Sequence, residues 1–215
     1  LTEHSAPMED YIRHRSYRDF SARCVDTGAL AGLLAKLRSV DINGSPKYLY
    51  ASAGGLYPVQ AYLYLKPDRC DDFKPGSYYF DPSTNDLVAL RTDAPDIRDL
   101  YDPIINRPIF DRAAFALFLV VDLEAIASMY PEHALHYATL EAGHITQLLE
   151  TTAPDLGLGL CQIGGLETAD FADILKLGEH HLLLHGLLGG MLPEAGDSSP
   201  ADAVDASSDR DEGEI

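Results

Sequence analysis

Three arginines and a histidine stand within six residues near the N-terminus, in RHRSYRDF, residues 13–20. The cluster is conspicuous because the chain has 16 Lys and Arg against 34 Asp and Glu, a net charge of −18. Arg15 and Arg18 supply fork-shaped charged donors and Ser16 adds a neutral hydroxyl, a combination that holds phosphate groups. We therefore regard the cluster as a candidate phosphate site, with a solvated basic turn as the alternative.

A glycine pair directly before a strand pattern gives a second candidate, in SAGGLYP, residues 52–58. Gly54 and Gly55 permit positive φ and bring backbone N–H groups against a ligand without interference from a Cβ atom. Pro58 then fixes the entry to the strand, and Ser52 offers a donor for a ring carbonyl or nitrogen. A tight structural turn is the alternative.

A second glycine pair next to a strand pattern occurs in CQIGGLE, where Gly164 and Gly165 follow a short strand pattern. Amides at such a strand end can point at a flat ligand. Two glycine loops together with an arginine cluster predict one planar cofactor that bears a phosphate.

Three histidines are candidates for proton transfer because imidazole titrates near neutral pH; they are His136, His144 and His185. Glu141 and His144 are three residues apart on a predicted helix, so the pair could relay protons. A core histidine with satisfied hydrogen bonds is the alternative. Adjacent strand residues such as His180 and His181 face opposite ways, so we predict no metal site.

The elements that must position these residues mix helices and strands. Residues 59–65 alternate as a strand does, 76–91 form a hairpin pattern, and 113–122 are apolar throughout, as in a central strand covered on both faces. A long helix is predicted within 133–159, and its apolar stripe consists of Leu135, Ala138, Ala142, Ile145 and Leu149. The fold class is α+β, with helices around a sheet.

Length and charge set the domain organisation. A chain of 215 residues suits one domain, which we place at 1–192. Residues 193–215 contain eight acids and one arginine, so we predict an acidic disordered tail or linker there.

Composition also argues against several partners and compartments. The net charge of −18 disfavours nucleic acid and anionic membrane. No run reaches the roughly 20 apolar residues that a membrane span needs. Three cysteines without metal-ligand spacing indicate reduced thiols, so we expect a cytoplasmic protein.

Five motifs in one order now resemble a known family: the arginine cluster, SAGGLYP, LEAGH-x-x-Q-L, LGLC-x-IGG and LLLH-x-LLGG. Across residues 12–190 the chain is similar to the FMN-dependent nitroreductase superfamily, and within it to the SagB-type thiazoline/oxazoline dehydrogenases. NRPIFDRAAFALFL (106–119) and HLLLHGLLGG (181–190) look most like oxidase domains of nonribosomal peptide synthetases.

The resemblance implies a nitroreductase-like fold with a mostly antiparallel central sheet, and an intertwined homodimer with FMN at the subunit interface. It assigns FMN contacts residue by residue. Those for the phosphate and ribityl chain are His14, Arg15, Ser16 and Arg18; those around the ring are Ser52, Gly54, Gly55, Gln147, Ile163, Gly164 and Gly165.

The implied reaction is aromatisation of a thiazoline or oxazoline held as a thioester on a peptidyl carrier protein. The ring must lose an acidic Cα proton and a hydride, so a base is needed beside the flavin. Relatives have a Lys-Tyr pair before the long helix, and Met129 and Tyr130 stand there in this chain. Tyr130 is the expected base or proton relay, with a helix-capping aromatic as the alternative, and His144 is the second catalytic candidate.

Two other functions remain open from the sequence. One is an NAD(P)H-dependent flavin reductase of the nitroreductase type. The other is a catalytically silent FMN-binding domain of an assembly line, which the absence of the lysine at position 129 favours.

Overall fold

The structure is a computed structural model that describes residues 7–194, and the predicted acidic tail lies outside the described residues except for its first two positions. The α-helices of the described part are α1 (Met8–Arg13), α2 (Thr27–Leu34), α3 (Arg107–Arg112), α4 (Leu123–Ala127), α5 (Ala134–Thr152) and α6 (Thr168–Phe171). Its strands are β1 (Val40–Ile42), β2 (Ser45–Lys47), β3 (Val59–Leu65), β4 (Gly76–Asp81), β5 (Asp86–Arg91), β6 (Phe115–Asp122), β7 (Leu158–Ile163) and β8 (His181–Met191).

Six strands form one sheet in the order β5-β4-β3-β6-β8-β7, and every neighbouring pair is antiparallel. β1 and β2 make a separate hairpin. The predicted α+β class and the antiparallel central sheet flanked by helices are therefore confirmed.

The sheet is covered on both faces, which explains the continuous apolar run of β6. All residues from Phe115 to Val121 are fully buried. Leu117 and Leu119 belong to the core that contains α2 and α5, whereas Phe118 and Val120 belong to the core on the opposite face, with α3 and α6. Burial of apolar area on both faces is the main term that stabilises such a strand.

Helix α5 positions the candidate site, and its buried stripe differs from the prediction at one end. Ala138, Ala142, Ile145 and Leu149 are buried as predicted, but Leu135 is 49% exposed. The stripe begins at Ala134 instead, because the spacing of four residues from Ala138 leads back to position 134. Among residues 7–194, no helix combines the length and the apolar content that a bilayer span requires.

Candidate functional site

The segment with the arginine cluster runs along the edge strand β7. The Tyr17 N–H donates to the Leu160 carbonyl over 2.9 Å, and the Arg13 guanidinium forms an ion pair with Asp155. Arg15 lies over the Tyr17 ring, 4.9 Å from its centroid. Arg13 is thus used for docking the segment.

Four other polar residues of the cluster remain exposed: His14, Arg15, Ser16 and Arg18. Within the described residues neither Arg15 nor Arg18 takes part in an ion pair. Arg18 is close enough to Cys161 to oppose the burial that raises the pKa of that thiol. Two guanidinium groups without an ion-pair partner in this part of the chain, which has a net charge of −18 overall, are available to hold an anion.

The loop after β7 is open on its ligand side. Ile163 is buried and pairs with Gly186, whereas a Cβ atom added at Gly164 or Gly165 would meet nothing within 4 Å. Gly165 has a φ of +71°, as expected of a glycine turn. The backbone amides of this loop are therefore approachable by a flat ligand.

Asn106 holds this loop in place, and sequence reasoning assigned it no role. Its Nδ2 donates to the Gly164 carbonyl oxygen over 3.0 Å. The turn that presents Asn106 is closed by Asp102, whose carboxylate accepts hydrogen bonds from the N–H groups of Ile104 and Ile105. The one signal available in the sequence was the position of Asn106 at the start of the NRPIFDR phrase.

A groove lies between α5, β7 and β8. Gln147 lines it from the helix, and the Gln162 side chain links Glu150 at 2.9 Å to His185 at 3.0 Å. Burial raises the pKa of Glu150 and lowers the pKa of His185, so burial shifts each group towards its neutral form. The groove thus has a polar wall of side chains joined by hydrogen bonds.

Thr146 adds an unsatisfied donor to the groove. It is 5% exposed, and its Oγ1 has no hydrogen-bond partner among residues 7–194. A buried hydroxyl without a partner costs free energy, so this atom is suited to a hydrogen bond with a bound ligand.

The first glycine turn is tightly built. Gly54 and Gly55 have φ values of +62° and +68°, which confirms the positive φ predicted for the pair. The Ser52 Oγ accepts a hydrogen bond from the Tyr57 N–H at 2.8 Å, which closes the turn. The side of the turn at Gly55 is open, with nothing within 4 Å of an added Cβ.

Tyr130 packs directly beneath this turn. A Cβ atom added at Gly54 would lie 3.2 Å from the Tyr130 hydroxyl oxygen and 2.7 Å from the Met129 sulfur. The Tyr130 ring also makes an edge-on contact with Tyr137, with ring centroids 4.9 Å apart. The structure therefore brings the Met-Tyr pair against the residues predicted to contact a flavin ring.

Helix α5 fastens both ends of the turn. The His144 Nδ1 lies 3.4 Å from the Ala51 carbonyl oxygen, and the Glu141 Oε1 accepts a hydrogen bond from the Val59 N–H at 3.2 Å. The two side chains reach opposite ends of the turn, and among the described residues no hydrogen bond joins Glu141 to His144. They act as two clamps one helical turn apart.

The remaining histidines have other partners. His185 bonds to Gln162, His180 pairs with Glu124, and the His181 ring accepts a hydrogen bond from the Gly178 N–H. His136 is exposed beside Tyr137. No cluster of three or more potential metal ligands occurs in the part of the chain that the structure describes.

The predicted site residues thus fall into two groups along α5. One group is the arginine cluster and the Ile163–Gly165 loop, with Gln147; the other is the Ser52–Gly55 turn, with Tyr130 and His144. An orphaned Thr146 hydroxyl, two uncommitted arginines and open space at three glycines fit a flat ligand that bears a phosphate.

Comparison with known proteins gives a consistent result. The model of the nitroreductase family matches residues 12–190. The indigoidine synthase of Dickeya dadantii (strain 3937) is 30% identical over 147 residues, which is 67% of this chain and 9% of that protein. The chain therefore spans less than a tenth of the length of this curated relative.

Two solved structures share the fold. A candidate nitroreductase of Ralstonia eutropha JMP134 has a TM-score of 0.70 at 19% identity, covering 90% of this chain and 86% of that chain. The E. coli microcin synthetase McbBCD complex with truncated pro-MccB17 bound has a TM-score of 0.69 at 19% identity, covering 90% and 77%.

Proposed function

Because the chain belongs to the nitroreductase family, whose members are generally FMN-dependent oxidoreductases, we propose that it binds FMN and oxidises a thiazoline or oxazoline to the aromatic azole. The substrate in this proposal is a thioester on a peptidyl carrier protein during nonribosomal peptide biosynthesis. Support for azoline oxidation comes from the order of the five motifs in the sequence. It also comes from the similarity to indigoidine synthase and to the microcin synthetase McbBCD complex.

The observation that carries FMN binding is that Arg15 and Arg18 have no ion-pair partner among the described residues, while the Gly164–Gly165 loop has open space at both glycines. Arg15, Arg18 and Ser16 would hold the phosphate, with His14 beside them. The Ile163–Gly165 amides and the Ser52–Gly55 turn would contact the ring, and Gln147 would reach it from the groove. When bound, FMN supplies a two-electron acceptor at N5 that O2 can reoxidise, with hydrogen peroxide as the product.

The chain's own task is to position the substrate and to remove one proton. The azoline loses a Cα proton and a hydride, so the proton acceptor must stand beside the face of the ring. Tyr130 is the proposed base or relay because its hydroxyl lies against Gly54. His144 is the second candidate: if its Nδ1–H donates to the Ala51 carbonyl, its Nε2 is left to accept a proton.

We also propose that the active form is a homodimer. Apolar side chains are exposed on α1, at Met8, Tyr11 and Ile12, and on α5, at Leu135 and Leu140. Exposed apolar side chains on two helices favour an interface, because large exposed apolar patches commonly mark protein contact sites. A second copy would cover it and would let each FMN use the arginine cluster of one chain and the glycine turn of the other.

Complementation tests this arrangement. We expect Arg15→Ala/Arg18→Ala and Ser52→Ala/Gly55→Val chains to bind FMN weakly when each is purified alone. Mixed and refolded together, they should regain part of the binding, measured by quenching of flavin fluorescence. An unchanged mixture, or a monomer by analytical ultracentrifugation, would contradict the shared site.

The decisive experiment for the reaction uses purified protein with FMN and a synthetic methylthiazoline thioester under anaerobic conditions. We expect the flavin absorption to bleach without NAD(P)H and to return when O2 is admitted. Tyr130→Phe should slow bleaching at least about 100-fold, as expected for loss of a general base. Bleaching of Tyr130→Phe at the wild-type rate would exclude Tyr130.

An NAD(P)H-dependent reductase of the nitroreductase type is the second candidate, favoured by the family. It would bleach rapidly with NAD(P)H and not with the thiazoline. Met129, in place of the lysine of the related Lys-Tyr pair, favours a third candidate, a silent FMN-binding domain. Such a domain would bind FMN and bleach with neither NAD(P)H nor the thiazoline.

We also propose that the protein is cytoplasmic, because its three cysteines are free thiols.

A further inference from the structure

Glu141 is a buried acid for which the proposed reaction has no use. It is 1% exposed, and it lies in the middle of α5 among apolar neighbours. One carboxyl oxygen accepts the Val59 N–H, and the other, Oε2, has no hydrogen-bond partner among the described residues. Keeping an acid there costs free energy that a Gln or Leu would avoid, so its presence requires an explanation.

The nearest polar side chain on the turn is Ser52. The Ser52 hydroxyl is close enough to the Glu141 carboxyl to lower its pKa. The Ser52 oxygen accepts the Tyr57 N–H, which leaves the hydroxyl proton free to point in either of two directions. One direction is towards Glu141 and the other is towards a ligand on the turn.

We propose that Glu141 is a positioning residue that controls, through its own proton, whether the Ser52 hydroxyl donates to the flavin ring. A neutral Glu141 donates its proton to the Ser52 oxygen, and the Ser52 O–H is then free to donate to a ring carbonyl or nitrogen. An ionised Glu141 accepts the Ser52 proton, and the ring loses that donor. The inference rests on the proposed FMN site at Ser52.

The surroundings of Glu141 make this exchange possible near neutral pH. Burial raises its pKa to about 7, although the nearby Ser52 hydroxyl and the hydrogen bond from the Val59 N–H act in the opposite direction. No charged side chain contributes to the shift. The acid is therefore present in both forms under ordinary conditions.

The neighbouring elements add no competing charge. The segment before the turn brings Tyr48 and Tyr50 near Glu141, and burial raises the pKa of both phenols, so they remain neutral. On α5 itself, the titratable residues one helical turn from Glu141 are Tyr137, which packs against Tyr130, and His144, which contacts the other end of the turn. The residues that β3, β6 and β8 contribute to the core around α5 are apolar, among them Ala61, Leu119 and Leu187.

Riboflavin affinity as a function of pH tests the inference, because riboflavin lacks the phosphate that titrates near pH 6. We expect the wild-type Kd to rise about fivefold as the pH rises through about 7, the value of one net hydrogen bond. Glu141→Gln resembles the neutral acid: its oxygen accepts from Val59 and its amide donates to Ser52. It should bind tightly at every pH.

Two further variants separate the contributions of Ser52 and His144 to the pH dependence of riboflavin binding. Ser52→Ala should bind riboflavin as weakly at every pH as the wild type does at high pH, so its Kd should show no step near pH 7. His144→Gln should keep the step, because the imidazole is not its source. A wild-type profile without a step, or a step that survives in Glu141→Gln, would overturn the inference.

A measurement without flavin keeps the inference testable even if the proposed FMN site is wrong. The infrared carbonyl band of a neutral carboxylic acid should disappear with a midpoint near pH 7 in the wild type and should be absent from Glu141→Gln. In Ser52→Ala the midpoint should move upward, since the hydrogen bond that favours the ionised form is gone. An unchanged midpoint would refute the Ser52–Glu141 coupling, whereas failure to bind any flavin refutes only the FMN proposal.

Discussion

The two glycine loops look alike in the sequence and differ in how the fold supports them. The Ser52–Pro58 turn is fastened at both ends by α5 and packed from below by Met129 and Tyr130. The Ile163–Gly165 loop has open space around its glycines and one side-chain tether, from Asn106. A rigid turn with a buried acid behind it is suited to orienting a ligand precisely by its ring, whereas an open loop is suited to close backbone approach.

The largest expected difference between the surroundings of the two loops is in how they make the unfolding free energy depend on pH. The pKa of Glu141 is raised from 4.5 to about 7 in the folded protein, so the folded state holds this proton more tightly than the unfolded state. Its stabilising effect is therefore fully present below pH 4.5 and is lost as the pH rises through 7. The wild type should lose about 3 kcal/mol of unfolding free energy over this range through Glu141.

Urea unfolding at pH 5 and pH 8 measures this loss. Subtracting the values for Glu141→Gln isolates it from other groups. Glu150→Gln is the matched control, because Glu150 lies on the same helix and its pKa is also raised by burial. Glu150 contacts the other loop region through Gln162. Glu150→Gln should therefore retain the part of the pH-dependent loss of unfolding free energy that Glu141→Gln removes.

The next prediction compares the loss of stability on substituting two adjacent glycines in the rigid turn. Gly54→Ala should cost about 2 kcal/mol or more, since positive φ alone costs 1–2 kcal/mol for alanine and the new methyl group would press on Met129 and Tyr130. Gly55→Ala has the same φ penalty but open space, so it should cost about 1 kcal/mol. Thermal unfolding measures both. Equal losses would mean that the packing beneath Gly54 contributes nothing.

Removing the tether of the open loop should have a smaller effect. Asn106→Ala should cost about 1 kcal/mol or less, because it removes one hydrogen bond at a partly exposed site. Asn106→Asp keeps the size but places a carboxylate against the Gly164 carbonyl, so it should loosen the loop more. Hydrogen exchange of the Gly164 and Gly165 amides reports this directly, and slower exchange in Asn106→Asp than in Asn106→Ala would contradict it.

The sequence predicted the parts of the molecule that depend on local pattern. The alternation of β3, the apolar run of β6 and the positive φ at Gly54 all follow from residue type and spacing. What it could not predict depends on contacts between distant segments. Glu141 meets Val59 across 82 residues and Asn106 meets Gly164 across 58 residues, and no local pattern carries that information.

The differences between the structure and the helix pattern have the same origin. Leu135 fits a helical stripe by its spacing of three residues from Ala138, but the buried face of α5 runs back from Ala138 to Ala134, so Leu135 remains half exposed. Glu141 and His144 share a helix face as predicted, yet each is drawn to a different backbone group of the turn. Side-chain spacing on one helix predicts proximity but not the partner.

The smallest effect on stability is expected at Gly164, and it isolates ligand approach from folding. Gly164 has no positive φ, and a Cβ atom there would meet nothing within 4 Å, so Gly164→Ala should change the unfolding free energy by no more than about 0.5 kcal/mol. If a flat ligand lies against this backbone, the same methyl group should still weaken FMN binding at least about tenfold, because it would occupy the space of the ring. Gly55→Ala serves as the matched variant in the other loop, where lost stability and lost affinity should go together. Equal FMN affinity in Gly164→Ala and wild type would place the flavin away from the open loop and would leave the rigid turn as its support.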